Sequence, residues 1–158
     1  MGLTQTPAFH SHKSIEWYTP PKVYQALDRE FHFILDPFPV SYGSPPAVDG
    51  LTIPWGQRNF VNPPYSLVGK ALAKGYSESL LGNLSVFLIF VRSDTKAWRN
   101  YILDRPNVEV RFITGRLKFV SSTGVKGAAP APSAVVVMYP AGTQATRRVF
   151  SWSLNTPP

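Results

Sequence analysis

The chain has no cysteine among its 158 residues, which excludes disulfides, thiolate metal sites and cysteine nucleophiles. Histidine is almost as scarce. His10 and His12 lie in a polar N-terminal stretch where solvation is expected, and His32 stands apart, so no metal-ligand set is evident. The longest apolar run, Val86 to Val91 in "LSVFLIFVRSD", is far short of the roughly 20 residues that span a bilayer. The N-terminus also lacks the charged-then-apolar pattern of a signal peptide. These absences predict a cytosolic chain with neither a membrane nor a metal as partner.

Acidic residues are few as well, 9 against 16 Lys plus Arg, for a net charge of +7. A positive potential favours polyanions such as nucleic acid. Because no dense Lys/Arg block occurs, charge alone is equally compatible with a merely basic protein.

What is abundant is proline, 16 residues gathered around 20–21, 37–46, 54, 63–64, 130–132 and the tail. These breaks separate a small number of regular elements. The length suits one domain, expected over residues 15–152, with a flexible arm at 1–14 and a frayed tail at 153–158.

Thr19 before "PPKVYQALDREF" supplies an N-cap and first-turn prolines, and Val23, Ala26, Leu27 and Phe31 follow at helical spacing. "FHFILD", 31–36, reads as a short strand ending on a carboxylate. Residues 37–57 form the longest irregular stretch, and such loops are commonly functional. "RNFV" reads as a second strand, stopped by Asn62-Pro63-Pro64. Leu67/Val68, Ala71/Leu72, Tyr76 and Leu80/Leu81 then recur at helix period up to Gly82. "LSVFLIFV" has the continuous apolar character of a strand buried on both faces. A helix is expected in "TKAWRNYILD", capped by Asp94 or Thr95, and a strand in "VEVRFI". "GRLKFV" and "SAVVVMYP" read as a further pair joined by the loop 121–132, and "RRVFSWSL" as a last strand. The alternation predicts an α/β, mostly parallel sheet. In such sheets ligands bind beyond the C-terminal ends of the strands, where Asp36 and Asn62 both fall.

"FVNPPYS", 60–66, therefore stands at the expected binding rim. Proline cannot continue a strand ladder and fixes its own φ, so Pro63-Pro64 holds a rigid corner. The Asn62 side-chain oxygen and a neighbouring backbone carbonyl become fixed acceptors, and Tyr65 adds a flat aromatic face. That set suits a planar ring with an exocyclic amine, such as adenine. Accepting both N–H bonds also draws the nitrogen lone pair away from the ring. The alternative is an ordinary strand-to-helix turn.

Together with "EWYTPPKVYQALDREFHFILDP", "DGLTIPW", "FVRSDTKAW", "VRFITGRLKF" and "APAPSAVVVMY", this motif makes residues 15–139 resemble the phage and prophage DNA N6-adenine methyltransferases, Dam-like enzymes that use S-adenosylmethionine. The resemblance implies a minimal class I, Rossmann-like methyltransferase fold, a mostly parallel sheet with a C-terminal antiparallel strand pair. It also implies methyl transfer to adenine N6 in double-stranded DNA. Asn62, Pro63, Pro64 and Tyr65 match the catalytic motif and would grip an adenine turned out of the duplex. Tyr18, Thr19 and Pro20 are similar to the N-terminal cofactor motif, and Asp36, Pro37 and Phe38 to the start of the cofactor loop. The usual Gly-x-Gly continuation is replaced by "DPFPVSYGSPP", with only Gly43 nearby.

Several residues keep two readings. Asp49 is a second cofactor-side acid or the acid of an Asp-Gly turn. Arg92 contacts phosphate or substrate, or pairs with Asp94. Arg116 and Lys118 form a basic hairpin facing DNA, or a strand edge protected by charge. Trp17, Trp55 and Trp98 are expected in the core rather than stacked on bases. The other functions open at this point are methylation of RNA adenine or of a protein amide, and DNA binding without catalysis.

Overall fold

The computed structural model describes residues 17–39, 49–121 and 126–154. The expected arm (1–14), Gly43 with most of its loop, the loop residues 122–125 and the last four residues of the tail lie outside these.

A five-stranded sheet forms the centre, in the order β2 (Arg58–Val61), β3 (Leu84–Phe90), β7 (Ser133–Met138), β4 (Val108–Ile113), β8 (Val149–Trp152). β2 is parallel to β3, and β4 to β8, while β7 is antiparallel to both of its neighbours. Every strand except β7 therefore runs the same way, and the expected α/β, mostly parallel architecture is present. A second, three-stranded sheet is built from β1 (Trp17–Tyr18), β5 (Lys118–Ser121) and β6 (Lys126–Ala128).

The period of two along buried strands divides the core into two faces. Phe87 and Ile89 of β3, with Val136 and Met138 of β7, face helices α2 (Val68–Leu80) and α3 (Lys96–Tyr101), packing with Leu72, Trp98 and Ile102. Val86, Leu88, Val135 and Val137 face the other way, toward Val23, Leu27 and Phe31 of α1 (Pro21–Phe31). Leu117, Phe119 and Ala129 join this second cluster, which lays the small sheet on the α1 side. An ion-pair cluster centred on the buried Arg111 fastens α1 to the sheet. The Arg111 guanidinium donates to both Glu30 carboxylate oxygens at 2.6 and 2.7 Å and to Glu109 at 2.6 Å.

Four expectations change. The strand expected over 31–36 reduces to a single parallel bridge between Leu35 and Asn59. The helix runs on through Phe31, His32 adopts a left-handed φ of 52°, and Asp28 takes the Phe33 N–H, so the backbone reaches the sheet late. "GRLKFV" and "SAVVVMYP" do not pair. β5 pairs with β6 and β1, and β7 inserts between β3 and β4, where all six of its residues are buried. Leu80 and Leu81 are exposed, while Glu78 takes the buried place on α2. Its carboxylate is bonded by Lys74, Asn83 and the Trp55 N–H. Lastly, Thr19 does not cap α1; Pro20 occupies the cap without a side-chain bond.

Among the described residues no helix is long and apolar enough to cross a membrane. The strand ends at Leu35, Val61, Phe90, Ile113 and Trp152 all open onto one rim.

Candidate active site

β2 ends at Val61, and the chain turns through Asn62-Pro63-Pro64 into a single 3-10 turn, Tyr65–Leu67, that leads into α2. The Leu67 N–H donates to the Pro64 carbonyl at 2.8 Å. That oxygen is thereby occupied, and the carbonyls of Asn62 and Pro63 remain as backbone acceptors at the corner.

The Asn62 side chain is oriented from a distance. Its Nδ2 donates to Thr19 Oγ1 at 2.9 Å, across 43 positions of sequence. With the nitrogen end tied, Oδ1 is the end of the amide left for a ligand, and an amide oxygen has two lone pairs. The hydroxyl expected to cap a helix thus joins the "YTP" and "NPPY" segments at one point. Tyr18 pairs opposite Val120 in β1, and the Pro20 carbonyl accepts the Val23 and Tyr24 N–H groups, so both neighbours of Thr19 are fixed by backbone.

Tyr65 is 58% exposed, high for an aromatic ring. Its ring leans on Phe90 at the end of β3, centroids 6.3 Å apart, and Phe90 in turn meets Phe119 of the small sheet edge-on. The Arg92 guanidinium donates to the Tyr65 hydroxyl at 2.5 Å and pairs with Asp94 at 3.3 Å. Asp94 holds Arg92 more fully charged and Arg92 holds the Asp94 carboxyl lower, each chiefly through their hydrogen bond. Of the two expected helix caps, Thr95 is the one that accepts the Trp98 N–H.

Asp36 lies one residue past the bridge that ties Leu35 to β2. Burial pushes its carboxyl up to about 6, although Oδ1 accepts the Phe38 N–H at 2.9 Å, which works the other way. Pro37 and Phe38 form a wall closed by Gly50. A Cβ on Gly50 would fall 2.2 Å from the Pro37 carbonyl oxygen and 3.0 Å from the Phe38 ring. The Gly50 carbonyl accepts the Trp55 indole N–H at 2.7 Å, and Trp55 packs edge-on against Phe38. Asp49 is exposed and accepts the Leu51 N–H, as an Asp-Gly turn requires. Its contribution to the rim is to shape that turn against Pro37.

Trp55 and Trp98 are buried in the core as expected. Arg116 and Lys118 are exposed at the entrance to β5, and among the described residues Arg116 reaches the Ala129 carbonyl at a long 3.5 Å. Phe119 adjoins Phe90, so this basic edge borders the Tyr65 side of the rim.

The structure thus gathers Thr19 with Asn62, Tyr65 with Arg92, and Asp36 to Phe38 with Gly50. Two contributors escaped the sequence reading, Phe90 as the backing of Tyr65 and Gly50 as the closure of the Pro37-Phe38 wall, while Thr19, expected in the cofactor motif, has the further role of anchoring Asn62. Phe90 carried no signal that distinguishes it from core, since it closes an otherwise apolar strand.

The rim of this α/β sheet thus combines a proline-fixed corner with an exposed aromatic ring. The chain belongs to the DNA N-6-adenine-methyltransferase (Dam) family, whose family model matches residues 7–153. A solved structure described as a predicted O-methyltransferase from Agrobacterium tumefaciens is similar at 16% identity and a TM-score of 0.38. The similarity covers 66% of this chain and 44% of that one, so this chain spans less than half of that protein's length. No curated protein matches the chain significantly.

Proposed function

We propose that the chain transfers a methyl group from S-adenosylmethionine to the exocyclic N6 of adenine in DNA. The observation that carries this reading is the Asn62 amide. Its nitrogen is committed to Thr19 and its oxygen is open at a proline-fixed corner beside an exposed tyrosine.

The target amine donates its two N–H bonds to Asn62 Oδ1 and to a backbone carbonyl of the Asn62-Pro63 corner. Those bonds localise the lone pair on nitrogen and aim it out of the ring plane, so positioning replaces a strong base. Pro63 and Pro64 keep the acceptors from relaxing toward other partners. Tyr65 stacks on the base, which must leave the duplex to reach the corner. The net charge of +7 favours the phosphate backbone, with the exposed Arg116 and Lys118 as rim cations for a bound strand.

The donor set also fits the methyl donor. Asp36 is a buried-side carboxylate with no Lys, Arg or His bonded to it among the described residues, as suits a cationic ligand. Tyr18, Thr19, Pro20, Asp36, Pro37 and Phe38 would hold it, with the Asp49-Gly50 turn closing behind. When bound, S-adenosylmethionine supplies an electrophilic methyl on a sulfonium. Asp36 would orient its positively charged methionine part while the Pro37-Phe38 wall excludes water.

Cofactor carrying a tritiated methyl, offered with duplex DNA, single-stranded DNA, RNA and protein, tests the assignment. Label in N6-methyladenine of DNA is expected. Label confined to RNA or protein would assign a different substrate, and no heat on calorimetric titration with S-adenosylmethionine would make the chain a binding protein only.

A further inference from the structure

We propose that Arg92 is a positioning residue for the target base, acting through Tyr65, instead of a phosphate contact. The inference rests on the adenine reading above and specifies how the stacking face is kept in register with the Asn62 corner.

Tyr65 opens a single 3-10 turn and is largely solvent-exposed, so its own loop fixes the ring poorly. Phe90 restrains only one side, through a tilted contact at 6.3 Å. The third restraint comes from the guanidinium, which donates to the phenol oxygen at 2.5 Å. Arg92 follows two residues after the end of β3, the strand paired with β2 through Val61↔Phe87. Asn62 and Tyr65 leave β2, while Phe90 and Arg92 leave β3. The two halves of the base site are thus referenced to adjacent paired strands. Asp94 sets the guanidinium in turn, bonding its Nε and Nη2 and leaving Nη1 for the hydroxyl.

The geometry also argues against a free phosphate ligand. Three guanidinium nitrogens are engaged, and Asp94 offsets the charge that a phosphate would need. Exposed Lys96 and Lys118 lack such an offsetting partner in the described structure and suit that role better. A stacking ring displaced by about 1 Å can lower a rate up to a hundredfold. The loss should appear in kcat more than in KM, since the duplex is held elsewhere.

The test compares wild type with R92A, R92K, Y65F and the Y65F/R92A pair, using duplex DNA and saturating S-adenosylmethionine. R92A should lower kcat by roughly ten- to a hundredfold, with KM for DNA within about twofold. R92K should recover part of the rate, and the double variant should be no slower than the slower single variant, because both remove one contact. An R92A effect confined to KM for DNA, or full additivity with Y65F, would overturn the proposal and restore Arg92 as a phosphate contact. Inactive wild type would instead count against the adenine reading. NMR of the protein alone, with ring-13C tyrosine, addresses the contact in that case. The Tyr65 resonance should move in R92A and stay in K96A; an unmoved resonance in R92A would overturn the proposal whatever the activity.

Discussion

Two asparagines three residues apart, at opposite ends of β2, do opposite things with the same amide. Asn59 is fully buried and saturated. Its oxygen accepts the Gly56 N–H at 2.8 Å, and its nitrogen donates to the Gly56 and Leu84 carbonyls at 2.7 and 2.9 Å. Asn62 has its nitrogen tied to Thr19, and no partner is recorded for its oxygen among the described residues. One end of the strand uses polar groups to close the fold, and the other keeps an acceptor in reserve. The carboxylates repeat the contrast. Burial alone would raise Glu78, but Lys74, Asn83 and the Trp55 N–H outweigh it and hold the carboxyl low. Among the described residues Asp36 has the Phe38 N–H alone against burial, and rises to about 6.

The largest effect that could break this comparison is expected from the asparagines themselves. Asn62→Ala should reduce methyl transfer by roughly a hundred- to a thousandfold, the loss typical of a positioned transition-state partner, with an unchanged melting temperature and most duplex affinity retained. Tyr65→Ala should behave similarly. Asn59→Ala should instead lower stability by roughly 2–4 kcal/mol in denaturant unfolding, because it strands several buried backbone groups at once. A folded, active Asn59→Ala, or an unfolded Asn62→Ala, would dissolve the distinction.

The acids should separate next, along pH. If the Asp36 carboxylate meets a cationic ligand, S-adenosylmethionine affinity should fall about tenfold per unit as pH drops below about 6. Asp36→Asn should bind weakly, with that dependence gone. Linkage gives the fold the opposite sign. A raised native pKa means that the folded state binds the extra proton, so the Asp36 contribution to stability declines as pH rises from the ordinary carboxylate range through about 6. Glu78 is lowered, so its contribution is present above the ordinary range and is lost on acidification. Calorimetric titration and thermal melts at stepped pH read the two effects apart.

The smallest effects concern the glycines. A Cβ on Gly75 would meet the Phe87 ring at 2.5 Å, in the α2–β3 packing. Gly75→Ala should therefore cost about 1–3 kcal/mol of stability without altering cofactor affinity. Gly50→Ala should disturb the Pro37-Phe38 wall and weaken S-adenosylmethionine binding along with stability. Equal effects of both on cofactor affinity would erase the boundary between wall and core.

What the sequence disclosed follows the range of the forces involved. The proline corner, the period of α2 and the apolar run of β3 are local signals, and each leads to the right element. The Leu80/Leu81 pair has the right period yet is exposed, because three partners drawn from α2, its C-terminal turn and the Trp55 segment let Glu78 take the buried place. The partners of Thr19 and Arg92 were illegible for the same reason of distance. A threonine before two prolines reads as a cap, and only the fold brings Asn62 to it. Asp94, two residues away, is a visible partner for Arg92, whereas Tyr65 is 27 positions distant. Strand pairing erred where two antiparallel choices existed for β5, because β7 is apolar enough for the centre of the large sheet and β6 is not.

Nucleoside mass spectrometry of genomic DNA, from a methylation-deficient bacterial host expressing either wild type or Asn62→Ala, tests the open amide most directly. N6-methyladenine should accumulate with wild type and be absent with Asn62→Ala at equal folded protein. Comparable N6-methyladenine from both, or none from a folded and cofactor-binding wild type, would contradict the account.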